Sequence, residues 1–127
     1  GANFLATVVA QSKQILSTVG IEDPGTFLRP LCEAALDRAL RAGDRGVSGP
    51  IPRGDVGTIR EHLSVLETKA KEENLAGEGQ WAHRLEDARS TYAAMTLHTV
   101  DLLEFEGRIN SQVASEIRAA VREMGEK

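Results

Sequence analysis

Apolar residues recur three and four positions apart along five stretches of this 127-residue chain, and no stretch sustains the alternation of a strand. That pattern confines the fold to packed helices. The predicted class is all-α, a bundle of five helices, or six if Pro30 divides the second. In the first, "ANFLATVVAQSKQILSTVG", Leu5, Val8, Val9, Ile15, Leu16 and Val19 form one stripe, with Ser12 as its polar gap. Gly20 supplies the stop, because glycine takes the left-handed conformation that closes a helix. Asn3 is the candidate cap. The apolar face is already running at Phe4 and no initiator Met precedes it. A single helical domain over 1–127, cut from a longer protein, is therefore expected.

Asp23 before Pro24 marks the second start, since a carboxylate caps free amides and proline suits a first helical turn. Its expected buried face is Leu31, Ala35, Leu36, Ala39 and Leu40, with Pro30 forcing a kink or a restart and Gly43 ending it. Asp55 caps the third helix, which turns Ile59, Leu63, Leu66 and Ala70 inward. Gly57 weakens that helix by up to about 1 kcal/mol relative to alanine, which suggests close approach of a backbone or a ligand. The fourth helix, about Gln80 to Phe105, carries Leu85, Ala88, Tyr92, Met95, Leu102 and Leu103; the fifth carries Val113, Ile117, Val121 and Met124. Trp81 and Tyr92 read as core or interface anchors. A stripe such as the first covers either neighbours in one chain or a second chain, and periodicity does not separate the two.

Composition removes several functions. Fifteen Lys and Arg against nineteen Asp and Glu leave a net charge of −4 and no basic cluster, so no nucleic-acid partner is expected. No apolar run reaches the roughly 18 to 20 residues that span a bilayer, and no signal peptide is visible. Cys32 stands alone, so it forms no internal disulfide; it reads as a small core residue, and the cytoplasm is the expected compartment. His62, His83 and His98 lack the i, i+3 or i, i+4 spacing of helical metal ligands, so no metal is expected. "GEGQ" and "GDRG" have no strand before them and no Lys-Ser/Thr after them, and read as linkers. The sequence by itself contains no complete catalytic machine.

One loop stands apart. In "SGPIPRGDVGTIREHL", Ser48 to Leu63, Gly49 and Gly54 permit tight turns while Pro50 and Pro52 stiffen the backbone. Such a loop holds the Arg53 guanidinium where a helix begins, and guanidinium binds carboxylate or phosphate through paired hydrogen bonds. Asp55, Thr58 and His62 fall near one stripe of the following helix. The plain alternative is that Asp55 caps, Arg53 forms a surface ion pair that braces the loop, and His62 is solvated.

The opening "GANFLATVVAQSKQIL" and the loop "SGPIPRGDVGTIREHLSVL" together resemble the C-terminal helical domain, itself a domain of unknown function, of a family of Rossmann-type oxidoreductases. These proteins are similar to ketopantoate reductase, pyrroline-5-carboxylate reductase and the 6-phosphogluconate dehydrogenase superfamily. Asn3 and Leu5 match the head of the pattern; Ser48, Gly49, Pro50, Arg53, Gly54, Asp55, Thr58, His62 and Leu63 match its loop. The likeness is close over residues 1–70 and loose through "STYAAMTLHTVDLL", while "KEENLAGEGQWAHRLED" and the tail after Glu106 depart from it.

The resemblance implies that a preceding domain, absent from this sequence, holds NADP or NAD, so that this fragment binds no cofactor and is inactive alone. The helical domain then closes a cleft over a small acidic substrate and builds a homodimer. Arg53 clamps the substrate, Asn3 and Thr58 add polar contacts, and His62 is the catalytic proton donor. Gly49, Pro50, Gly54 and Asp55 shape the loop. Two readings compete: a self-standing helical protein-protein interaction module without catalysis, and a small-molecule or regulatory sensor.

Overall fold

Local chain chemistry sets the helix boundaries in the computed structural model, which describes residues 1–77 and 79–125, the Trp81 side chain excepted. The helices are α1 (Ala2–Thr18), α2 (Pro24–Ala42), α3 (Val56–Leu75), α4 (Gly79–Phe105) and α5 (Ser111–Gly125), with a 3-10 turn at Gly43–Gly46; no strand occurs among the described residues. The fold is an all-α bundle. Asp23 and Asp55 cap as expected, each accepting from the amide and the hydroxyl of the threonine three residues on. Asn110 does the same for α5, its Oδ1 accepting from the Val113 amide at 2.9 Å.

One boundary expectation fails, and one of two alternatives at Pro30 is removed. Gly1, not Asn3, is the residue that caps α1, and Asn3 already lies inside the first turn. Pro30 causes no restart: α2 is one helix from Pro24 to Ala42. Proline removes one amide donor, and the carbonyl it orphans belongs to Thr26, which is exposed and open to solvent. The "GDRG" segment is more than a linker, because it forms the 3-10 turn that packs against α2.

α3, α4 and α5 pack pairwise around one core, with Ile59 and Leu63 of α3, Val100 and Leu103 of α4 and Ile117 and Val121 of α5 buried together. Arg118 of α5 braces the outside of that core, reaching Asp101 at 2.6 Å and Glu104 at 2.8 Å on α4. Ile59, Leu63, Leu66 and Ala70 are all buried, as their spacing predicts. On α4 the periodicity is less faithful. Met95 and Leu102 are exposed, and Ala82, Thr96 and Val100 take inward positions instead, because α4 packs against three neighbours and no single stripe serves them all.

α1 and α2 stand outside this core. α1 lies on α4; the contacts of α2 concentrate on α1 and the 3-10 turn. No residue of α1 is buried, and Pro24 alone is buried in α2. The expected buried face of α2 is therefore uncovered within one chain: Leu31 is 64% exposed and Leu40 78% exposed. Phe4, Leu5 and Val8 of α1 are exposed with it. Cys32 is partly covered, in a groove with Val9 and Leu28 between the two helices.

Candidate functional site

The loop before α3 is a folded turn. The Gly54 amide donates to the Ile51 carbonyl at 3.0 Å and the Asp55 amide to the Pro50 carbonyl at 2.9 Å. Gly49 and Gly54 both take positive φ, 96° and 65°, where a side chain strains the backbone. A Cβ at Gly54 would also sit 3.2 Å from Val113, so the turn is pressed onto α5. Pro50 lies within it. Arg108, between α4 and α5, donates to the carbonyls of Asp44 and Val47 and ties down the chain leading into the turn.

At the exit of this turn the structure brings Arg53, Asp55 and Thr58 together. The Asp55 carboxylate accepts from the Thr58 amide at 3.1 Å and from its hydroxyl at 2.7 Å. Those two bonds hold its pKa below the ordinary carboxylate value, with the charge of Arg53 adding to the effect. Arg53 stands 3.9 Å from Asp55 with its side chain 63% exposed, a loose pair in high dielectric. The plain reading of Asp55 as cap therefore holds, and Arg53 keeps most of its guanidinium toward solvent.

His62 lies one helical turn beyond Thr58, about 6 Å along α3. It is exposed, yet its Nδ1 is 2.8 Å from the Tyr92 hydroxyl on α4, and the two rings meet edge to face at 5.6 Å and 79°. The pair lines a groove of about 430 Å³ with Ile15, Glu61, Val65 and Leu66. Tyr92, Ile15 and Leu66 also line an adjoining apolar cavity of about 270 Å³ between α1, α3 and α4, to which Val8, Ile51 and Met95 contribute. Burial raises the Tyr92 pKa above the ordinary phenol value.

Asn3 is not drawn into this group. It is exposed in the first turn of α1, where its carbonyl accepts from the Thr7 hydroxyl at 2.8 Å. Nor does another chain segment approach Gly57, where an added Cβ would meet Asp55 Oδ1 at 3.7 Å and nothing closer. The close backbone approach is at Gly46, where an added Cβ would sit 2.7 Å from the Arg38 carbonyl oxygen. Tyr92 is the site residue that sequence reasoning read only as an anchor; its spacing from His62 carries no signal, because the contact crosses two helices. Among the described residues no cluster of His, Cys, Asp and Glu is arranged to hold a metal, and no helix is long and apolar enough to cross a membrane.

The loop and the helix it launches fall inside a recognised family domain. The model of the family described as a domain of unknown function, DUF2520, matches residues 1–99. This chain belongs to that family. The DUF2520 match takes in α1, α2, α3 and most of α4, hence the Arg53 turn, His62 and Tyr92; α5 lies beyond it. No curated protein and no solved structure matches the chain.

Proposed function

We propose that this DUF2520 chain is the dimerisation and substrate-cleft domain of a Rossmann-like oxidoreductase whose NADP or NAD is held by a separate nucleotide-binding domain. The observation that carries the reading is the row at the head of α3. An exposed guanidinium leaves a braced turn beside Asp55 and Thr58, and His62 follows one turn later at the edge of a groove. This is the segment on which the resemblance to Rossmann-type oxidoreductases rests. A small carboxylate substrate fits that row: Arg53 binds its acid group, Thr58 offers a hydroxyl and His62 faces the reacting oxygen.

The uncovered faces of α1 and α2 support the other half of the reading. A twofold partner presents the same patch to itself, so exposed Phe4, Leu5, Phe27, Leu31 and Leu40 of one chain cover those of the next. The same face also suits a second reading, a helical module that binds another protein and catalyses nothing.

The test uses a polypeptide that carries this domain together with its nucleotide-binding domain. NADPH and NADH titration identifies the cofactor. Arg53→Ala is expected to raise KM for the carboxylate substrate about tenfold or more with kcat little changed, the signature of lost uniform binding through a charged hydrogen bond. An unchanged KM removes Arg53 from the site, and absence of any nucleotide binding favours the interaction module.

A further inference from the structure

A phenol oxygen 2.8 Å from Nδ1 of an exposed histidine does more than fill space. The contact joins α3 to α4, which pack side by side, and the edge-to-face ring geometry fixes the imidazole plane. Two proton placements satisfy the distance. Either the Tyr92 O–H donates to a bare Nδ1, or an Nδ1–H donates to the phenol oxygen. In the second, the Tyr92 proton needs another acceptor in a partly buried setting, and among the described residues Nδ1 is the hydrogen-bond partner of that hydroxyl. An unmatched, partly covered hydroxyl costs free energy, so the first placement wins.

We propose that Tyr92 is a positioning residue that holds neutral His62 in the tautomer with its proton on Nε2, so that the groove edge presents an N–H donor to an acceptor oxygen of the substrate. The inference rests on the proposed function and sharpens the role of His62 within it. A carbonyl or carboxylate oxygen is recognised by such a donor; an ammonium or an amide N–H is not. Neither Glu61, which shares the groove wall, nor Asp55 at the head of α3 takes the place of Tyr92: Asp55 is engaged by Thr58, and the hydrogen-bond partner of Nδ1 is the Tyr92 hydroxyl. His62 is an exposed residue, and Nε2 is the ring nitrogen that Tyr92 does not engage. Hydrogen bonding at one ring nitrogen decides which form the other displays.

The test is long-range proton–nitrogen correlation NMR of the histidine rings in this chain at about pH 8.5, roughly two units above the ordinary imidazole pKa. The expected spectrum shows His62 Nε2 protonated and Nδ1 bare. In Tyr92→Phe the ring packing is kept and the O–H is lost. The His62 tautomer ratio should then move about fivefold, the factor one ordinary hydrogen bond supplies, while His83 and His98 stay in place. A proton on Nδ1 in the unsubstituted chain overturns the proposal, as does an unchanged His62 signal in Tyr92→Phe. If that variant does not fold, the unsubstituted spectrum alone decides the tautomer. No substrate or cofactor enters the tube, so the spectrum judges Tyr92 and the KM of Arg53→Ala judges the proposed function.

Discussion

Leu63 and Leu40 carry the same side chain into opposite surroundings, and truncating each to alanine measures the difference. Leu63 is fully buried in the cluster shared by α3, α4 and α5. Removing three carbons forfeits about 2.4 kcal/mol at about 0.8 kcal/mol per methylene, and the cavity left behind raises the expected cost of Leu63→Ala to about 3 to 4 kcal/mol. Leu40 is 78% exposed. With roughly a fifth of its surface covered, Leu40→Ala should cost about 0.5 kcal/mol in the single chain. Against a total stability of about 5 to 15 kcal/mol, the first change shifts a urea midpoint clearly and the second barely.

The assay is urea unfolding followed by helical circular dichroism, at low protein concentration and again about a hundredfold higher. If a second copy covers α2 at the higher concentration, as proposed, the loss at Leu40 should climb toward that at Leu63. A loss below about 1 kcal/mol at Leu63 would refute the core assignment. A Leu40 effect that ignores concentration would refute covering of α2 by a second copy.

Two further outcomes follow from local geometry. Asp55 has a depressed pKa in the folded chain, so its stabilising contribution is present above the unfolded value of about 3.9 and is lost as pH falls through the folded value. Thermal midpoints should therefore drop less on acidification in Asp55→Asn, which keeps a capping oxygen and loses the titration; parallel acid limbs would contradict this. Gly46→Ala places a Cβ 2.7 Å from the Arg38 carbonyl oxygen, and calorimetry should show a loss of about 1 to 3 kcal/mol from overpacking. Gly57→Ala meets no such obstacle and should instead gain up to about 1 kcal/mol of helix propensity; equal effects at the two glycines would show that the turn does not press on α2.

What the sequence determined by itself is local. A carboxylate just ahead of a helical stripe accepts from the free amides of the first turn, so Asp23 before Pro24 and Asp55 before the α3 stripe were readable as caps. The row Ile59, Leu63, Leu66 and Ala70 was equally plain, because α3 packs into the three-helix core along one stripe. So was the hand-over from the glycine-proline turn to α3, which brings Arg53, Asp55 and Thr58 together through bonds spanning a few residues.

Tertiary structure decided the rest, because a stripe names the apolar side of a helix and not what lies against it. α1 and α2 are as striped as α3, yet Phe4, Leu5, Leu31 and Leu40 stay exposed in this chain. α4 meets α1, α3 and α5, so Thr96 goes inside while Met95, next to it, stays out. His62 acquires Tyr92, thirty residues on, only because α3 and α4 lie side by side. Hydrogen bonds between near neighbours are encoded in composition and spacing; a bond across the bundle exists only once the helices have chosen their faces.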